Sequence, residues 1–110
     1  MARRTQELIE VGYYLARFGI KSPPERLNVH HWREAYLSFY DSLGAERTIE
    51  SFHLSLRNAR DSFDSHFPDT QRVGWRKNNE PAELTGISKA VFYSFKDLNE
   101  SEVWGRIALF

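Results

Sequence analysis

Apolar residues recur three and four positions apart through most of the chain, the spacing that gives an α-helix one oily and one wettable side. From Thr5, a residue suited to capping a helix start, Leu8, Val11, Gly12, Leu15 and Phe18 keep that spacing up to Gly19. The pattern predicts a helix over 5–18, with Gly19 left-handed so that Leu15 and Ile20 close a Schellman end. Ser22-Pro23-Pro24-Glu25 then reads as a connector holding one short turn, because proline suits the first helical position and Glu25 stands three residues after Ser22.

Asn28 is expected to cap a second helix whose inner face is Trp32, Ala35, Tyr36, Phe39, Tyr40 and Leu43, ending at Gly44. Thr48 opens a third and longest helix, striped by Ile49, Phe52, Leu56, Ala59 and Phe63, which stops where Phe67 meets Pro68. Only residues 44–47 separate the two, a length that packs them as an antiparallel or crossed pair. Residues 68–81 carry turn formers and charges around only two large apolar side chains, Val73 and Trp75, and read as a long loop.

Leu84, Ile87, Val91 and Phe95 predict a further helix; a short strand near residues 90–95 is the alternative, since Ala90-Val91-Phe92-Tyr93 is aromatic and branched. Asn99 with Glu102 makes a capping box and Leu98 with Val103 a hydrophobic staple, so a last helix starts there and carries Val103, Trp104, Ile107, Ala108, Leu109 and Phe110. The expected fold class is all-α, a compact bundle of four or five helices with one long basic loop. Residues 1–110 are expected to form a single helical domain. The apolar ending leaves two readings level: the N-terminal domain of a longer protein, or a complete small protein whose Phe110 tucks into its own core or a dimer.

Eight Phe, five Tyr and three Trp in 110 residues supply enough ring area for a packed core without staples, which argues against disorder. Fifteen basic residues balance fifteen acidic ones, so nucleic-acid contact requires a local patch and not the charge of the whole molecule. The absence of cysteine excludes disulfides and cysteine-ligated zinc. Arg3 and Arg4 lead into Thr5-Gln6-Glu7 and not an apolar stretch, and no apolar run approaches the ~18–20 residues of a membrane span. A cytoplasmic location without membrane contact is the expectation.

Four histidines, His30, His31, His53 and His66, raise the question of a metal. His30 and Glu34 are four apart, but HExxH is missing and adjacent His30 and His31 would point about 100° apart on a helix, so no metal site is expected. Asp61, Ser62, Asp64 and His66 are the residue types of a hydrolytic triad, yet they are only neighbours in the chain. A nucleophile elbow, a Walker loop and a dinucleotide turn are all missing. Asp69, Glu80 and Glu83 with Lys77 make an incomplete nuclease pattern, because the lysine precedes both glutamates. Catalysis within the chain and a cofactor are therefore not expected, and a small metal-dependent hydrolase ranks third among the functions considered.

The one basic patch is residues 71–79, where Arg72, Arg76 and Lys77 surround Trp75 and Asn78 without a carboxylate. The cations would neutralise phosphates while Trp75 stacks on a base or wedges a step, and Arg3 and Arg4 would extend the patch. The plainer alternative is that Trp75 anchors the loop and its charges are merely solvated. On the third helix, Arg57 and Asn58 are side chains that read guanine and adenine edges, opposed by Asp61 and Asp64 unless Arg57 and Arg60 screen them. Both i, i+4 pairs are expected to be solvated and worth about 0.3–0.5 kcal/mol each. Leu37 and Leu54 lie opposite their helices' main stripes: either a further helix of the bundle covers them or, with Trp104 and Phe110, they belong to a protein-interaction or dimerisation surface. The leading expectation is a non-catalytic helical module that contacts DNA or another nucleic acid, with the interaction domain as the alternative.

Overall fold

Residues 11–16 of the first helix, α1 (Ala2–Phe18), are buried without a break. A helical turn takes 3.6 residues, so six successive buried positions cover the whole circumference, and α1 is enclosed on every side. The computed structural model describes residues 2–19, 23–43, 48–64, 66–67, 76–77, 80–81, 84 and 86–108, with only the backbone of 2–5, 41–42, 76–77 and 80–81. Around α1 stand α2 (Trp32–Leu37), α3 (Tyr40–Leu43), α4 (Ile49–Asp64), α5 (Gly86–Phe95) and α6 (Glu100–Ile107), with a 3-10 turn at Glu25–Leu27. The result is an all-α bundle with a Cα radius of gyration of 13.0 Å, what a folded chain of this length reaches.

The approach of α1 to α4 is closer than side chains on both would allow. A Cβ placed on Gly12 would lie 2.7 Å from the Ala59 Cβ, 3.0 Å from the Ala59 carbonyl carbon and 3.1 Å from the Arg60 nitrogen. Next to that contact, Tyr13 meets Phe63, Phe67, Phe92 and Phe95 edge-on, with centroids 5.3, 5.5, 6.2 and 5.4 Å away. Edge-on pairs of this kind contribute about 0.5–1.5 kcal/mol each beyond their buried area. Arg17 donates to the Tyr13 hydroxyl at 3.1 Å and to the Phe95 carbonyl at 2.8 Å, tying the ring cluster to the end of α5.

Several elements differ from the sequence-based expectation, each for a local reason. Helix α1 starts at Ala2 and not Thr5, since alanine and arginine extend a helix readily. Gly19 does not adopt the left-handed conformation; a Cβ there would sit 2.4 Å from Trp32 Cη2, so the glycine is required by packing. Asn28 does not cap α2: at φ 53° and ψ 45° it closes the 3-10 turn, a left-handed position asparagine tolerates, and α2 begins after the extended His31. The second predicted helix is divided into α2 and α3 by a tight turn at Ser38–Phe39, where the Ser38 hydroxyl donates to the Glu34 carbonyl at 2.9 Å.

Helix α4 ends at Asp64, and single hydrogen-bonded turns continue to Phe67. The strand alternative near residues 90–95 is overturned: these residues are helical, with Val91 and Phe95 buried while Lys89 and Tyr93 face solvent, a helical and not an alternating period. Within the predicted loop 68–81, β1 (Arg76–Lys77) pairs antiparallel with β2 (Glu80–Pro81) in the register Arg76↔Pro81 and Lys77↔Glu80. The capping box of α6 forms as predicted, with Glu102 N–H donating to Asn99 Oδ1 and Asn99 N–H to Glu102 Oε1, both at 2.9 Å.

Glu100 joins three parts of the chain. Arg26 donates to its two oxygens at 2.7 and 2.8 Å, and the Tyr14 hydroxyl of buried α1 donates to Oε2. Hydrogen bonding from Arg26 holds the Glu100 carboxyl below its ordinary value of 4.5, against the opposing pull of burial.

Two glycines predict opposite outcomes. Gly12→Ala is expected to lower stability by about 1–3 kcal/mol in urea titration, because the Cβ meets helix backbone that cannot give way. Gly105→Ala, whose Cβ would meet nothing within 4 Å, is expected to raise stability by up to about 1 kcal/mol through helix propensity alone. The lowered Glu100 pKa means that its contribution is present above the ordinary carboxylate value and is lost as pH falls through the folded value. Glu100→Gln should therefore be less stable than wild type at neutral pH and converge with it under acid, as followed by urea midpoints across pH.

Candidate nucleic-acid interface

The contact of α2 with α4 is built around one arginine. Arg60 lies with its guanidinium 4.7 Å from the Trp32 ring centroid and 5.8 Å from that of Tyr36. It donates to Asp61 Oδ1 at 3.1 Å, and its Nε lies 3.6 Å from Asp64 Oδ2. Side-chain exposures of 11% for Arg60 and 1% for Asp64 make this a buried pair, which corrects the expected solvated one. The cause is Trp32 and Tyr36, supplied by another helix and covering the flank of α4 that its own stripe leaves open. Trp32 reaches that position across Gly19, so a missing side chain just after α1 shapes the α2–α4 surface.

His53 packs on Tyr36 with centroids 4.6 Å apart. Burial, and then the charges of Arg33, Arg57 and Arg60, lower its pKa from the ordinary histidine value. Burial pushes the Tyr36 hydroxyl up to about 12.

The outward face of α4 gathers three residues singled out in the sequence. Leu54, Arg57 and Asn58 are three and four positions apart and all exposed, Leu54 by 58% and the Arg57 side chain by 61%. Arg57 approaches Asp61 only to 3.9 Å. Arg33, exposed on the neighbouring α2, has no ion pair among the described residues. The acidic objection to this face is thereby weakened: Asp64 is turned inward to Arg60, and Asp61 is held by Arg60 with Arg57 near it.

The other sequence-derived positions are dispersed. Arg72, Trp75, Asn78 and Phe110 fall outside the described residues; Arg76 and Lys77 contribute backbone to β1, and Arg3 and Arg4 to the first turn of α1. Leu37 is half-buried. Trp104 is also half-buried, packed 5.5 Å from Tyr14 and 5.6 Å from the Arg26 guanidinium, so its ring serves the core more than a surface.

His30 and His31 precede α2, which removes the helical geometry that would set His30 over Glu34. Among the described residues, no three His, Asp or Glu side chains gather as a metal site. The triad-like residues have separate structural engagements: Ser62 donates to the Ala59 carbonyl at 2.7 Å, Asp64 faces Arg60, and the His66 ring packs 5.6 Å from Phe92. No described helix is long and apolar enough to cross a membrane. No family model, curated protein or solved structure matches the chain.

The exposed positions Arg57, Asn58 and Leu54 were legible from helical periodicity. Arg33 and the inward turn of Asp64 were not, since both depend on how α2 lies against α4. Replacing Asp64 by Ala is expected to cost about 3 kcal/mol in urea titration, because it strands part of a buried guanidinium. A further Arg60→Leu substitution should recover most of that loss.

Proposed function

We propose that the chain is a non-catalytic helical module that contacts nucleic acid through the outward face of α4 and the basic segment 71–79, in the cytoplasm. The observation that carries this reading is the division of charge on α4: Arg60 engages Asp61 and Asp64, while Arg57 and Asn58 face solvent beside Arg33. Arginine and asparagine offer the donors that recognise phosphates and base edges, and the inward acids reduce the repulsion a phosphate would meet there. The three cations of residues 71–79, with no acid among them, add a second positive stretch along the sequence.

Contacts of this kind release counterions, so affinity should fall steeply with salt. Fluorescence anisotropy with labelled duplex and single-stranded DNA at low salt is expected to show binding that Arg57→Glu with Arg33→Glu weakens about tenfold or more, with a shallower salt dependence. Affinity indifferent both to that pair and to Arg76→Glu with Lys77→Glu would dismiss the proposal. The 58% exposure of Leu54 favours one rival, a protein partner on the same face. Sedimentation that shows Leu54-dependent self-association, with no DNA bound, would favour that rival.

A further inference from the structure

The face of α5 turned away from α1 carries a pattern that neither the α4 surface nor the segment 71–79 accounts for. Lys89, Tyr93 and Lys96 are spaced i, i+4 and i+7, and all three are exposed. On a helix these positions fall within a sector of about 60°, with the two lysines about 10 Å apart along the axis and the ring between them. Lys96 keeps the helical register, since its N–H donates to the Phe92 carbonyl at 3.0 Å.

Tyr93 is 58% exposed, which is unusual for a ring in a protein whose other tyrosines are buried or half-buried among the described residues. It is also held in place: Phe92 meets it edge-on at 5.6 Å, and Lys96 Nζ lies 5.3 Å from its centroid. Neither lysine has an ion pair among the described residues, and no carboxylate occurs between Gly86 and Lys96; Asp97 is the first to follow.

We infer that this stripe binds single-stranded nucleic acid, with Tyr93 stacking on an unpaired base and Lys89 and Lys96 meeting the phosphates on either side. The inference rests on the nucleic-acid reading above and adds strandedness to it. An anchored ring between two cations that have no ion pair among the described residues complements a chain that alternates planar bases with phosphates. A duplex hides its base faces and offers such a ring nothing to stack on, and an acidic peptide would use the lysines but not the ring.

The test compares an oligothymidylate of about twelve nucleotides, within the site sizes of single-strand binders, with a duplex of equal length by anisotropy at low salt. The single strand should bind more tightly; Tyr93→Ala should weaken it about tenfold or more while Tyr93→Phe leaves it near wild type. Lys89→Glu with Lys96→Glu should weaken it too, and lower the slope of log affinity against log salt by roughly 1.4. If both oligonucleotides bind and Tyr93→Ala changes neither, this inference is overturned and the broader reading survives. If neither binds, both are overturned. Competition by polyglutamate as effective as that by the oligothymidylate would replace the nucleic acid with an acidic polypeptide and overturn the stripe's assignment.

Discussion

Gly12 against Ala59 sets the distance between α1 and α4, and that distance governs what the remaining helices can reach. With the two backbones nearly touching, Tyr13 projects beside the contact into the rings of Phe63 and Phe67 on one side and Phe92 and Phe95 on the other. Burial of large rings is the main favourable term available to a chain without disulfides, and here it converges on one residue of the central helix. A wider separation would leave Tyr13 short of Phe63 and Phe67 and open the ring cluster on its α4 side.

A second missing side chain acts at the end of α1. Gly19 admits Trp32, Trp32 covers Arg60, and Arg60 draws two carboxylates away from the outward face of α4. The surface charge of α4 thus depends on a glycine that follows another helix. Burying an ion pair seldom adds much net stability, since desolvation offsets the attraction. Its effect here is better seen in orientation: it fixes which side chains of α4 point inward.

How far the sequence discloses the fold depends on whether the deciding partner is local. The capping box at Asn99 and Glu102, the stripe of α4 from Phe52 onward, that of α5 and the inner face Trp32, Ala35, Tyr36, Phe39 and Leu43 involve residues a few positions apart, and periodicity reveals them; Ile49, expected on the α4 stripe, is exposed. Asn28 misleads because the same residue suits both a helix cap and a left-handed turn, and the choice lies with the chain after the two prolines. Gly19 misleads in a similar way, as a helix-ending glycine whose reason is a tryptophan thirteen positions on. The candidate interface divides along the same line: exposure of Arg57 and Asn58 follows from the helix alone, whereas the inward turn of Asp64 needs the aromatic cover from α2.

The enclosure of α1 has a consequence for synthesis. The helix that the others surround leaves the ribosome before them, and Val11, Tyr13, Tyr14, Leu15 and Ala16 have no cover until α4, α5 and α6 follow. At translation rates of about 5–20 residues per second, that interval is on the order of ten seconds. Throughout it the nascent chain displays the helix that the finished fold buries most completely, so its passage to the folded state depends on whatever shields that helix in the meantime.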